Sequence, residues 1–212
     1  MNDWLAFGLL SIVSLFAVVE PLGLMPIFIG MTAKLASPQQ RSIARRACLI
    51  AFVTLILFAL TGQFMFRLFG ISLESLKIVG GVLFFLIGFE MLQAKHTRTA
   101  FDESKPEPEE HDVAITPLGI PMIAGPGAIA SVTVRWNQAD AVAKQVAVLV
   151  SVALVILVTL LILLGARRVA RFLGESGNKV LLRLMGLLTM VIGVEFFVSG
   201  LTPIVQRMLK PE

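Results

Sequence analysis

Long apolar runs separated by short polar, charge-bearing segments set the pattern of this chain. Six such runs stand out, at 4–32, 47–66, 76–92, 115–134, 146–166 and 180–201. Each is close to or above the roughly 20 residues that an α-helix needs to cross about 30 Å of hydrocarbon. The pattern therefore predicts an all-α integral membrane protein with six transmembrane helices. A hydrophobic content of 57%, only 15% charged residues and a mean hydropathy of +0.88 exclude a soluble globular domain of 212 residues.

The second half of the chain repeats elements of the first. Gly81-x5-Ile87-Gly88-x-Glu90 recurs as Gly186-x5-Ile192-Gly193-x-Glu195, 105 residues on. Arg67-x-x-Gly70-x-Ser72 recurs as Arg171-x-x-Gly174-x-Ser176 after 104 residues, and Pro21-Leu22-Gly23 as Pro117-Leu118-Gly119 after 96. The common order marks a duplicated half of three spans. An odd number of spans inserts the second copy upside down, so the expectation is two inverted three-helix repeats, the plan of many secondary transporters. The boundaries read as a first repeat over 1–92, a flexible acidic linker over 93–114 and a second repeat over 115–212. The linker contains Pro106-Glu107-Pro108-Glu109-Glu110 and cannot bury enough apolar surface to order itself. His96 and His111 fall in it without a metal-ligand spacing and read as solvated.

Charge placement predicts topology. The first, third and fifth loops carry twelve basic residues, among them Arg41, Arg45, Arg46, Arg167 and Arg168, against six on the opposite side. By the positive-inside rule the former face the cytoplasm and both termini lie outside, in a bacterial-type inner membrane. The start, Met-Asn-Asp-Trp, lacks the basic region of a cleavable signal, so the first run reads as a span. Cys48 is the one cysteine, which excludes an intramolecular disulfide, and it reads as a small packing residue of the second span. No aromatic-basic pattern suggests a nucleic-acid surface.

The candidate chemistry lies in the first and fourth runs, which are interrupted. The first holds Glu20-Pro21-Leu22-Gly23-Leu24-Met25-Pro26; the fourth holds Pro117, Gly119 and Pro121, then Gly125-Pro126-Gly127. Proline removes backbone donors and glycine frees the dihedrals, so neither run makes one regular helix. Hydrocarbon cannot satisfy the freed groups, hence the breaks must be buried in protein or line a wet cavity. Half-helices beginning near Pro26 and Gly127 would aim N-terminal amides at an anionic group. Three acids, Glu20, Glu90 and Glu195, lie inside apolar runs with no Lys or Arg deep in a span. Each must be protonated, meet water or hold a cation. Glu20, near mid-membrane and beside the first break, is the leading candidate to bind an ammonium group or carry a coupling proton. These acids and the prolines and glycines of the two breaks form the candidate substrate- and ion-binding set. Thr54 and Thr61 share a helix face and are expected to bond their own backbone.

At these residues the chain resembles the MarC family of small bacterial and archaeal membrane proteins, related to the LysE-type exporters. The resemblance rests on 20–28, on Gly80-Gly81-Val82-Leu83-Phe84 and on the stretch from Pro117 to Ile129. It implies six spans, and transport of small neutral amino acids such as alanine and glycine by some members. Many members have Asn, sometimes Asp, where Glu20 stands, and often Gln near Glu195.

Together these features predict a secondary transporter or exporter of small polar solutes, working by alternating access and driven by a proton or sodium gradient. Its partners would be the solute, the coupling ion, the lipid bilayer and, in a homo-oligomer, further copies of itself. No cofactor or metal site is expected. No Walker-type phosphate loop is present, and no His or Asp lies in a span to build a hydrolase, so the chain does not read as an enzyme. A metal-cation exporter and a non-transporting scaffold are the alternatives.

Overall fold

A computed structural model describes residues 3–32, 35–93 and 114–209. Most of the expected linker, with His96 and His111, lies outside them. The described residues are helical, without strands. Five runs are long and apolar enough to cross a membrane: Asp3–Thr32, Ser37–Leu68, Leu73–Leu92, Val142–Val169 and Ser176–Leu209. The first comprises α1 (Asp3–Val19) and α2 (Pro21–Thr32), broken at Glu20. The next two are α3 (Ser37–Leu68) and α4 (Leu73–Leu92). The last helical run, Val142–Leu209, bends at Gly174 (φ 66°, ψ −176°). Its two pieces are α6 (Val142–Val169) and α7 (Ser176–Leu209).

The run expected to form the fourth span is two shorter pieces, a π-helix π1 (Ala114–Ile123) and α5 (Pro126–Gln138). At 1.5 Å per residue α5 is about 20 Å long, so neither piece alone crosses the hydrocarbon. Pro117 and Pro121 have no N–H to give to an i→i−4 ladder. The wider register continues to the end of π1, where Ala124 N donates to Gly119 O at 3.0 Å.

The two halves meet along α4 and α7, which touch backbone to backbone. A Cβ on Gly81 would lie 2.5 Å from Gly193 O, and one on Gly88 2.5 Å from Gly186 O. At the end of this seam Gly200 faces Glu74 O, and Arg207 pairs with the Glu74 carboxylate at 2.9 Å. Small residues allow such contact, which matters because lipid supplies no hydrophobic drive for helices to associate.

Polar pins fix the other helices. Thr133 of α5 donates to Phe58 O of α3 at 3.2 Å, and the Ser14 and Ser131 hydroxyls join α1 to α5 at 3.2 Å. Lys144 pairs with Asp140 at 2.9 Å and reaches Asp3 at 3.8 Å, tying together the near ends of α1 and α6. Its hydrogen bond holds the Asp140 carboxyl below the usual carboxylate range. Cys48 packs buried in α3, as expected, and Thr61 donates to Leu57 O of its own helix at 2.7 Å.

The glycine seam sets a stability test. Gly193→Ala puts a methyl 2.7 Å from Gly81 O and Phe85 N. This should cost about 1–3 kcal/mol, as overpacking does. Gly165→Ala, where a Cβ meets nothing within 4 Å, should leave stability unchanged or raise it. Unfolding midpoints in detergent compare the two.

Candidate functional site

The first break falls at Glu20. Pro21 has no N–H to continue the ladder of α1, and Glu20 adopts φ 47°, the one positive φ among the described non-glycine residues. A left-handed conformation costs a non-glycine residue roughly 1–2 kcal/mol. It turns the chain so that Glu20 O accepts from Gly23 N at 2.9 Å and Leu24 N at 3.2 Å, opening α2. The inner half-helix thus starts at Pro21, not near Pro26. Pro26 lies inside α2, buried. A proline in the first turn costs nothing because its N–H would be unpaired in any case.

The carboxylate of Glu20 folds back over the first turn of α2. A Cβ at Gly23 would lie 3.0 Å from both Cδ and Oε1 of Glu20. The carboxyl group of Glu20 therefore itself occupies the space over the first turn of α2. Oε2 accepts a hydrogen bond from Thr189 Oγ1 of α7 at 2.9 Å. Oε1 is buried and has no hydrogen-bond partner among the described residues. Beside it is a cavity of about 20 Å³ walled by residues of α1, α2, α4, π1 and α7. Glu20 and Thr189 are its polar side chains, and Leu24, Ile27, Phe84, Met91 and Met122 supply most of the rest. That volume admits about one water.

The second break is closed by packing. Gly125 is the N-cap of α5 and Pro126 its first residue, close to the start expected near Gly127. A Cβ on Gly127 would lie 2.9 Å from Val18 Cγ1, and one on Gly80 3.3 Å from Gly127 N. Gly125, Gly127 and Gly119 are buried. The side chains of Pro117 and Pro121 lie outside what the structure describes. The residue that opens the second inner half-helix, as Pro21 opens the first, is Pro126 and not Pro117. Pro126 lies 105 residues after Pro21, the same offset as Gly81 to Gly186. The 96-residue Pro-Leu-Gly match joins positions of unlike structure, since Pro117 falls inside π1.

Of the three acids, only Glu20 reaches the cavity. Glu90 is half-buried on α4 and Glu195 is exposed on α7; neither lines it. Among the described residues no three of His, Cys, Asp and Glu lie close enough to hold a metal ion. Thr189 was not singled out by sequence reasoning, yet its position carries a signal. It lies three residues after Gly186 and four before Gly193, on the face of α7 that the glycines press against α4.

A model described as MarC family integral membrane protein matches residues 5–205. The UPF0056 membrane protein YvbG of Bacillus subtilis is 35% identical over 192 residues, covering 89% of this chain and 91% of that protein. The UPF0056 membrane protein PYRAB13050 of Pyrococcus abyssi matches with the same identity and coverage, 35%, 89% and 91%. YhcE of Escherichia coli, also a UPF0056 membrane protein, is 31% identical over 199 residues, 93% of each chain. No solved structure matches. With a match along nearly its whole length, this chain belongs to the MarC family of integral membrane proteins.

Proposed function

We propose that the protein is a secondary transporter of small polar solutes, with small neutral amino acids as the first class to test. In this reading Glu20 carries the exchangeable cation, a proton or sodium. The observation that carries it is the Glu20 carboxylate itself: one oxygen has no partner among the described residues, and the residue lines a cavity enclosed by elements of both halves of the chain. A structural carboxylate buried in a bilayer protein is expected to be fully hydrogen-bonded, and an incompletely bonded one is the exception that marks ion pathways.

The hydrogen bonds favour exchange of a proton. Thr189 Oγ1 lies 2.9 Å from Glu20 Oε2 and 2.8 Å from Met185 O, yet a hydroxyl has one proton to give. With Glu20 ionised, the two acceptors compete for it. With a proton on Oε2, Glu20 donates to Thr189 and Thr189 donates to Met185 O. Loading and unloading Glu20 therefore rewires a contact between the α1–α2 break and α7.

Alternating access would run between two inverted halves. The glycine seam supports that relation. Under the 105-residue offset Gly81 corresponds to Gly186 and Gly88 to Gly193, and the contacts are crosswise, Gly81 with Gly193 and Gly88 with Gly186. Reciprocal contacts of this kind are what a two-fold axis produces. Gly70 and Gly174, paired by the Arg-x-x-Gly-x-Ser match, have φ of 63° and 66° at corresponding helix junctions. A space of about 20 Å³ beside Glu20 is too small for an amino acid, so this conformation is a closed one. A metal-cation exporter would need more ligands than Glu20 and Thr189 supply.

The test is uptake of labelled alanine and glycine into proteoliposomes under an imposed pH or sodium gradient. Wild type should accumulate solute, and accumulation should collapse with the gradient. Glu20→Gln keeps the side-chain shape and should abolish gradient dependence; undiminished gradient-driven uptake by this variant would overturn the role of Glu20. No uptake of either amino acid by folded wild type would overturn the solute class. Gly23→Ala, which crowds the carboxylate without altering any charge, should slow uptake by roughly tenfold, the effect of a displacement costing a little over 1 kcal/mol.

A further inference from the structure

We propose that the first three turns of α3 form a binding groove for the phosphodiester headgroup of an anionic membrane lipid. The groove has a volume of about 540 Å³ and is lined by Ser37, Pro38, Arg41, Ser42, Arg45 and Arg46. None of the six is acidic. A further guanidinium arrives from α6, where Arg167 donates to Ser37 Oγ. Arginine forks match the oxygens of a phosphodiester and present several donors to it at once.

Helix length places this groove at the headgroup layer. α3 has 32 residues and is therefore about 48 Å long, against about 30 Å of hydrocarbon. Its apolar part runs from Ala47 to Phe66, 20 residues that cover about 30 Å. The ten residues that precede it, from Ser37 to Arg46, extend beyond the hydrocarbon edge into the zone of lipid phosphates.

The face of α3 distinguishes a lipid from a soluble anion. At about 100° per residue, Arg41 and Arg45 stand on one wall, Arg46 on the other, and Pro38 and Ser42 on the floor between them. Leu49 falls within about 20° of Ser42 around the helix axis, and Leu60 returns to the same direction. These residues, with Val53 and Leu57, are exposed large apolar side chains. A cationic cleft thus opens directly onto an uncovered apolar track, the arrangement that meets a charged headgroup and its acyl chain together.

Native mass spectrometry of the full-length protein in mild detergent tests this with equimolar phosphatidylglycerol and phosphatidylcholine of matched chains. Wild type should retain phosphatidylglycerol preferentially, and Arg41→Gln and Arg45→Gln should each lower that preference by about fivefold. The double variant R41K/R45K, which keeps the charge but loses the forks, should lower the preference less than the two Gln changes combined. Ser42→Glu, which puts a negative charge on the groove floor, should abolish the preference and gives a second test should the arginine variants fail to fold. Equal retention of the two lipids by wild type, or an unchanged preference in the Gln variants, would overturn the proposal. Displacement of phosphatidylglycerol by excess inorganic phosphate would also overturn it, by assigning the groove to a soluble anion.

Discussion

Hydrocarbon gives an unpaired amide or carbonyl nothing to bond to, and that constraint organises this molecule around residue 20. A chain that breaks its helix at mid-membrane must wrap the break in protein. Accordingly Pro21, the run from Gly23 to Phe28 and Thr32 are all buried, leaving α2 largely enclosed. Enclosure needs close neighbours. The glycines of α4 and α7 let those helices meet at backbone distance, which brings Phe84 and Met91 from one and Thr189 from the other to the same small space. The second break is protected by the same means, with Gly80 and Gly127 letting α4 approach the start of α5.

The dihedral angle at residue 20 gives the side chain there a backbone meaning as well as a chemical one. A φ of 47° is a conformation that Asn and Asp adopt more readily than other non-glycine residues. Glu20 accepts the same strain and adds a methylene of reach, which carries its carboxylate over Gly23 and onto Thr189. Strain held in place by surrounding structure is characteristic of functional turns.

Much of this architecture was legible in the sequence because length and hydropathy dictate spans, and because Pro and Gly must interrupt them. The start of the inner half-helix was displaced by five residues, from near Pro26 to Pro21. A proline reads as a breaker wherever it occurs, but one at the start of a helix is harmless and one inside it survives when its surroundings are protein. The pairing of Pro21 with Pro117 misled for a related reason: three-residue identity in an apolar chain is weaker evidence than a common offset. Glu20 led the three acids in sequence because it borders a break, but which face each occupies depends on helix packing. Hence Glu20 is drawn inward while Glu195 stays exposed. Thr189 escaped because a threonine in an apolar helix ordinarily bonds its own backbone, as Thr189 also does with Met185.

The two breaks are unequal in one respect. Under the 105-residue offset the counterpart of Glu20 is Gly125, which carries no side chain at all. On the inverted-repeat reading, a scaffold of near two-fold symmetry thus bears a carboxylate at one break and none at the other. On the transport reading, one carboxylate offsets one positive charge, and a neutral solute crossing with that cation moves one elementary charge per cycle. Membrane voltage then becomes a driving force in its own right, worth about 2.3 kcal/mol per charge for each 100 mV, and turnover becomes an electrical current.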